Sequence, residues 1–134
     1  MREILFRGKD FSGVINHSWC FGSLDTTEDD RAIIIYLDRF GNKCRIVVNP
    51  ETVGQYAGLK DKNGTKIFEG DIVKRFWLGK MCIYQIDYDN GLASFIGRAG
   101  MKFTTFDYDS AEFEVVGNIH DNPELLRGND NVER

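Results

Sequence analysis

Residues 50–74 read PETVGQYAGLKDKNGTKIFEGDIVK, and this stretch decides the fold. Asp61-Lys62-Asn63-Gly64 is a turn. Asn-Gly places two residues at positive φ, which a type I′ hairpin turn requires. Thr65 to Phe68 reads as a short strand. Glu69-Gly70-Asp71 breaks it, with Gly70 freeing the backbone and Asp71 bonding locally to fix the bend. Ile72 to Trp77 is strand again, opened by the β-branched pair Ile72 and Val73. The stretch therefore predicts strand, hairpin, strand, kink, strand.

Working outward, the other segments repeat this rhythm. Glu3 to Arg7 alternates, with Ile4 and Phe6 on one face, and Asp10 to Gly13 is a turn. Val14 to Phe21 is expected to form a second strand, and Asp25 to Asp30 a polar loop. Ala32 to Leu37, AIIIYL, is a strand covered on both faces, and Cys44 to Val48 pairs with it across Gly41-Asn42. Asn49 caps a helical turn at Pro50-Glu51-Thr52. Leu78-Gly79-Lys80 turns into a strand from Met81 to Tyr88, and Asp89-Asn90-Gly91 turns again. Leu92 to Ile96 and Met101 to Phe106 are expected as strands around a flexible Gly97–Gly100. Phe113 to Ile119 closes the sheet. Asn122-Pro123-Glu124 starts a short helix through Leu126, and Gly128 to Arg134 is a polar tail.

The chain has 134 residues, enough to bury a core as one domain or two small ones. Hydrophobic residues make up 42% and aromatics 13%, which argues against a disordered chain. Fourteen glycines and two prolines fit many short strands joined by turns. No apolar run approaches the length of a transmembrane helix, and MREILFRGKD lacks the apolar core of a signal peptide. Cys20, Cys44 and Cys82 form no CxxC pair, which suits reduced thiols in a cytoplasm.

The central stretch carries a resemblance. PETVGQYAGLKDKNGTKIFEGDIVK resembles the signature of the YopX family, small proteins typical of bacteriophages and prophages. The opening Arg2-Glu3-Ile4-Leu5-Phe6-Arg7-Gly8-Lys9 agrees with the family's. So does the ending, Glu114-Val115-Val116-Gly117-Asn118-Ile119 followed by Asn122-Pro123-Glu124-Leu125-Leu126. The segments Thr26 to Cys44 and Leu78 to Asp109 match only in strand rhythm. The resemblance implies a bacterial host cell and a β-rich fold with an SH3-like barrel in the C-terminal part. It implies no enzymatic activity. Gly-Asp-Ile-Val entering a strand after a hairpin is also a common opening of small SH3-like barrels, an analogy of pattern. The expected fold is thus mainly β: N-terminal strands at 1–49 packed on an SH3-like small barrel at 50–126, with a short C-terminal helical turn and a polar tail at 127–134.

Charge is uneven along the chain. The formal net charge is −4, yet residues 60–80 carry +3 and residues 101–134 carry −5. This excludes a generally basic nucleic-acid binder and leaves one locally basic segment. Lys60, Lys62, Lys66, Lys74 and Arg75, with Trp77 and Tyr84, form the candidate interaction surface. Arg and Trp anchor protein interfaces, and a basic strand with aromatics also stacks on single-stranded nucleic acid. The competing reading places Trp77 in the core and leaves the lysines as solubilising edge charges.

Other constellations are weaker. His17-x-x-Cys20 with Cys44, Cys82 and His120 lacks the paired spacing of a zinc site. Ser18 neighbours His17 only in sequence, so no nucleophile–base pair is signalled. Gly54, Gly58, Gly64 and Gly70 precede no Walker lysine and read as turns. The acids of Asp25 to Asp30 lack the alternation of a calcium loop. The expectation is a non-catalytic cytoplasmic adaptor in a bacterial host, without cofactor, metal or membrane. Its partner is a host or phage protein, with single-stranded nucleic acid as the alternative.

Overall fold

The computed structural model describes residues 3–27, 29–106 and 112–127. Eleven strands account for most of them, and two compact units divide after residue 56: Met1–Tyr56 and Ala57–Arg134.

In the first unit the order is β4-β3-β2-β1 with the start of β5 beside β1, every pairing antiparallel. The strands are β1 (Phe6–Lys9), β2 (Trp19–Thr26), β3 (Ala32–Leu37), β4 (Lys43–Val48) and β5 (Gly54–Lys60). The β-branched run of β3 behaves as its sequence predicts: Ile33 and Ile34 are both buried. Ile34, Ile46, Val48, Ala32 and Cys20 form this unit's core. Strand β2 starts later than its apolar pattern suggests. Residues 11–18 are instead a loop held by Asp10, whose carboxylate accepts from the backbone N–H of Ser12 (3.1 Å), Ile15 (2.7 Å) and His17 (3.3 Å). Asn16 and His17 sit at positive φ (59° and 58°), which no strand accommodates. The strand then runs on into residues 25 and 26, shortening the acidic loop. Asn49 caps a 3-10 turn over Pro50–Thr52 as expected, accepting from Glu51 N–H at 3.1 Å.

The second unit contains the end of β5, then β6 (Lys66–Phe68), β7 (Asp71–Trp77), β8 (Lys80–Asp89), β9 (Ser94–Ala99), β10 (Lys102–Thr105) and β11 (Glu114–Asn118). Strands β7 to β10 form an antiparallel meander and β11 returns to pair with β7, giving the order β10-β9-β8-β7-β11. A four-strand meander with a fifth strand back on the first is consistent with the expected SH3-like barrel. Among the described residues the pairings leave the sheet open. A short helix covers residues 124–127.

Turn chemistry departs from the simplest reading of Asn63-Gly64. Gly64 has φ 83° but Asn63 does not adopt positive φ, so the turn is not type I′. Asp61 decides it: Oδ1 accepts from Asn63 and Thr65 N–H, both at 2.9 Å, which shapes the loop around its own side chain. The type I′ geometry occurs at Leu78-Gly79 (φ 49° and 77°), between the paired residues Trp77 and Lys80. Gly97 and Arg98 belong to strand β9 rather than to a flexible loop. A Cβ on Gly97 would lie 3.0 Å from Tyr84 Cβ, so the glycine admits a neighbouring ring.

Candidate functional site

Strand alternation builds the site. On β7, Val73, Arg75 and Trp77 share one face. The register places them opposite Tyr84, Cys82 and Lys80 of β8. On the same face, Ala99 and Gly97 of β9 pair with Lys102 and Thr104 of β10. One end of this face is the unit's core: Ile67, Val73, Tyr84, Ile86, Ala99 and Phe113. Towards the Leu78-Gly79 turn the core side chains run out, and the face opens as a hollow of about 320 Å³.

The hollow is cationic and aromatic. Arg75, Lys80 and Lys102 line it beside Trp77, Tyr84 and Phe103, and no carboxylate is among its described lining residues. Trp77 is 45% exposed and Phe103 54%. Other exposed apolar side chains occupy the same end of the sheet: Phe76, Leu78 and Met81 by the β7–β8 turn, and Met101 by the β9–β10 turn.

Arg75 is the central group. Its side chain is only 13% exposed, and its guanidinium carbon lies 4.5 Å from the Trp77 ring centre, 4.9 Å from that of Phe113 and 5.5 Å from that of Tyr84. These are cation–π distances in a partly desolvated setting. Its polar contacts are long: Nη2 donates to Thr104 Oγ1 at 3.4 Å and Tyr84 Oη at 3.5 Å, and Nη1 is 3.7 Å from Glu112 Oε2. Its buried Nε has no hydrogen-bond partner among the described residues. Burial pushes the Tyr84 phenol up from its ordinary pKa, an effect that Arg75 partly offsets, so Tyr84 keeps its proton at neutral pH.

The sequence-predicted surface is therefore divided. Arg75, Trp77 and Tyr84 are brought together. Lys74 lies on the opposite face of β7, and its Nζ and that of Lys62 approach the Glu114 carboxylate at 3.7 and 3.4 Å. Lys60 ends β5, exposed, and Lys66 lies half-buried on β6. None of these four lines the hollow. Arg75 is largely withdrawn from water, because three aromatic rings take its guanidinium. Lys80, Lys102 and Phe103 complete the hollow without having been singled out. The signal for Lys102 was the alternation of residues 102–105, legible only once Gly97 and Ala99 are placed in β9; that alternation puts Phe103 on the other face.

The remaining candidates separate. His17 Nδ1 is 3.0 Å from the Asp10 carbonyl oxygen, within the 11–18 loop. Cys20 donates to the Gly8 carbonyl at 3.3 Å, and burial pushes its thiol up to about 11. Cys44 and Cys82 are half-buried free thiols. Among the described residues, no three His, Cys, Asp or Glu side chains gather as a metal site. In the first unit a hollow of about 500 Å³, walled by Phe11, Val47, Val48 and Pro50 with Asp30 and Arg31, is mainly apolar. Among the described residues no helix is long and apolar enough to cross a membrane.

The YopX protein family matches residues 6–127, nearly the whole chain. The chain belongs to the YopX family. This YopX-family chain also shares its fold with the crystal structure of protein EF1440 from Enterococcus faecalis. The TM-score is 0.56 at 24% identity, covering 94% of this chain and 99% of that one. Among curated proteins none matches the chain significantly.

Proposed function

We propose that this YopX-family protein is a non-catalytic protein-interaction module, acting in the cytoplasm of a bacterial cell that carries a phage genome. It captures its partner, from host or phage, at the open end of the β7–β10 sheet. One observation carries the reading: a hollow lined by cations and aromatics lies at the end of the sheet where Phe76, Leu78, Met81 and Met101 are exposed. Clustered apolar side chains around a charged pocket are the anatomy of a protein-binding surface. The test is affinity capture from a bacterial lysate with wild type and Trp77→Ala, followed by direct titration of the captured protein. Trp77→Ala is expected to lose capture while keeping the wild-type circular dichroism spectrum. Equal capture by both overturns the reading.

Single-stranded nucleic acid is the second reading. Trp77 and Phe103 beside Arg75, Lys80 and Lys102 favour it, since bases stack on aromatics while cations hold phosphates. Oligo-dT binding that weakens steeply with added salt supports it, and salt-insensitive or absent binding removes it.

A further inference from the structure

Two arginines of the second unit differ in how well their charge is met. Arg98 is held by Asp87 at 2.9 Å (Nε) and Asp89 at 3.0 Å (Nη2). Those carboxylates raise its pKa further above its ordinary value. Arg75 has more of its surface buried, and among the described residues its best polar contact is 3.4 Å. A guanidinium offers five donors in a fork that matches a carboxylate. At Arg75 the three rings hold that fork in place and the polar partners stand off.

Resting on the protein-interaction reading, we infer that the hollow takes an acidic peptide segment. An Asp or Glu carboxylate of the partner sits on Arg75, and a neighbouring bulky apolar residue packs on Trp77. Four observations carry this. Among the described residues that line the hollow there are three cations and no carboxylate. Nε of Arg75 is buried and lacks a partner among the described residues. The Glu112 carboxylate, 3.7 Å away, is 45% exposed, so an incoming carboxylate replaces a loose contact with a close one. The space is about 320 Å³, at the small end of the ~300–1,000 Å³ range of ligand pockets, which suits side chains rather than a run of nucleotides. Lys80 and Lys102, both exposed, flank the entrance and steer an acidic segment inward.

The test starts from a random peptide display library panned against the full chain. Enriched peptides are synthesised, each with a twin in which Asp and Glu become Asn and Gln. Both are titrated by fluorescence anisotropy. Enrichment of acidic residues beside aromatic or aliphatic ones is expected. The amide twins should bind more weakly by about tenfold or more, a charge-pair effect that added salt reduces. Arg75→Gln should abolish the acid-over-amide preference. Arg75 touches the core, so Lys80→Gln with Lys102→Gln provides an independent variant at exposed positions, expected to lower affinity for the acidic peptide alone. Enriched peptides without acids that still need Trp77 overturn this inference and leave the interaction module standing. No enriched peptide, with oligo-dT bound at the same groove, overturns both. Acidic peptides bound equally by wild type and both charge variants also overturn it.

Discussion

Asp61→Ala should unfold the second unit's turn-to-strand clamp, and its cost follows from three hydrogen bonds. Asp61 is buried, 6% exposed. Oδ1 accepts from Asn63 and Thr65 N–H, and Oδ2 from Val115 N–H, 54 residues away in sequence, all at 2.9 Å. Backbone bonds survive the substitution: Asp61 N–H to the Thr65 carbonyl (2.8 Å), Gly64 N–H to that of Asp61 (3.0 Å) and Lys62 N–H to that of Phe113 (3.0 Å). Asn63 and Thr65 are exposed, so water replaces the carboxylate there at about 0.5–1 kcal/mol each. Val115 is half-buried on β11, and stranding its N–H costs about 1–3 kcal/mol. The total is about 3 kcal/mol.

Urea unfolding followed by circular dichroism reads this as a lower midpoint at unchanged slope. The pH dependence supplies a second check. Burial alone would raise the Asp61 pKa, but the Val115, Thr65 and Asn63 donors outweigh it and hold the carboxyl below its ordinary 3.8. A depressed folded pKa contributes stability that is complete above the unfolded value and lost as pH falls through the folded one. The gap between wild type and Asp61→Ala should therefore be constant from neutral pH down to about 5 and narrow below 3.8. A loss under about 1 kcal/mol, or a gap unchanged at low pH, would refute the clamp.

Other expectations follow from single contacts. A Cβ on Gly22 would lie 2.1 Å from the Ile35 carbonyl oxygen, whereas Gly64 has open space and only its φ of 83° to defend. Gly22→Ala should thus cost about 3 kcal/mol and Gly64→Ala about 1 kcal/mol, compared by urea titration. Leu78 is 86% exposed at φ 49°, so Leu78→Gly should relieve about 1 kcal/mol of backbone strain and raise the melting temperature. A lower melting temperature would contradict the type I′ turn. Cys44 and Cys82 should react with a disulfide reagent before Cys20, whose buried thiol is pushed up to about 11 and should react only on unfolding. Site-resolved mass spectrometry of the labelled chain checks the order.

Strands were legible where side chains alone decide them. The run Ala32–Leu37, the alternation along β8 and the kink before β7 appear in the structure because burial enforces them. The failures share one physical source: interactions between residues that the local pattern does not connect. The Asp10 carboxylate turns an apolar run into a loop, and Asp61 overrides the Asn-Gly turn preference. Gly97 reads as a break but is a packing requirement set by Tyr84, which stands on another strand. The site suffered the same way. Charge along the chain grouped Arg75 with Lys60, Lys62, Lys66 and Lys74, none of which lines the hollow with it. The rings of Tyr84 and Phe113, met only through pairing and return of the chain, make the inward position tenable.

That inward arginine gives the sheet its polarity along the strand axis. Val73 and Arg75 are two residues apart on one face, and the environment changes from a closed core to an open hollow between them. An aliphatic residue at 75 would extend the core and gain burial without desolvating a charge. Arginine there accepts long polar contacts and a buried Nε without a partner among the described residues. Stacking on three rings offsets part of that desolvation and fixes the fork's direction. The residual is an electrostatic demand aimed into the hollow, which Glu112 at 3.7 Å meets only loosely. A carboxylate arriving at hydrogen-bond distance meets it with two parallel bonds, and this site then gains more from binding than an exposed lysine does. The same stacking explains why charge alone did not locate the surface. Lys62 and Lys74 are basic in sequence but share Glu114, whereas the cation with the most to gain is the one enclosed by aromatic rings.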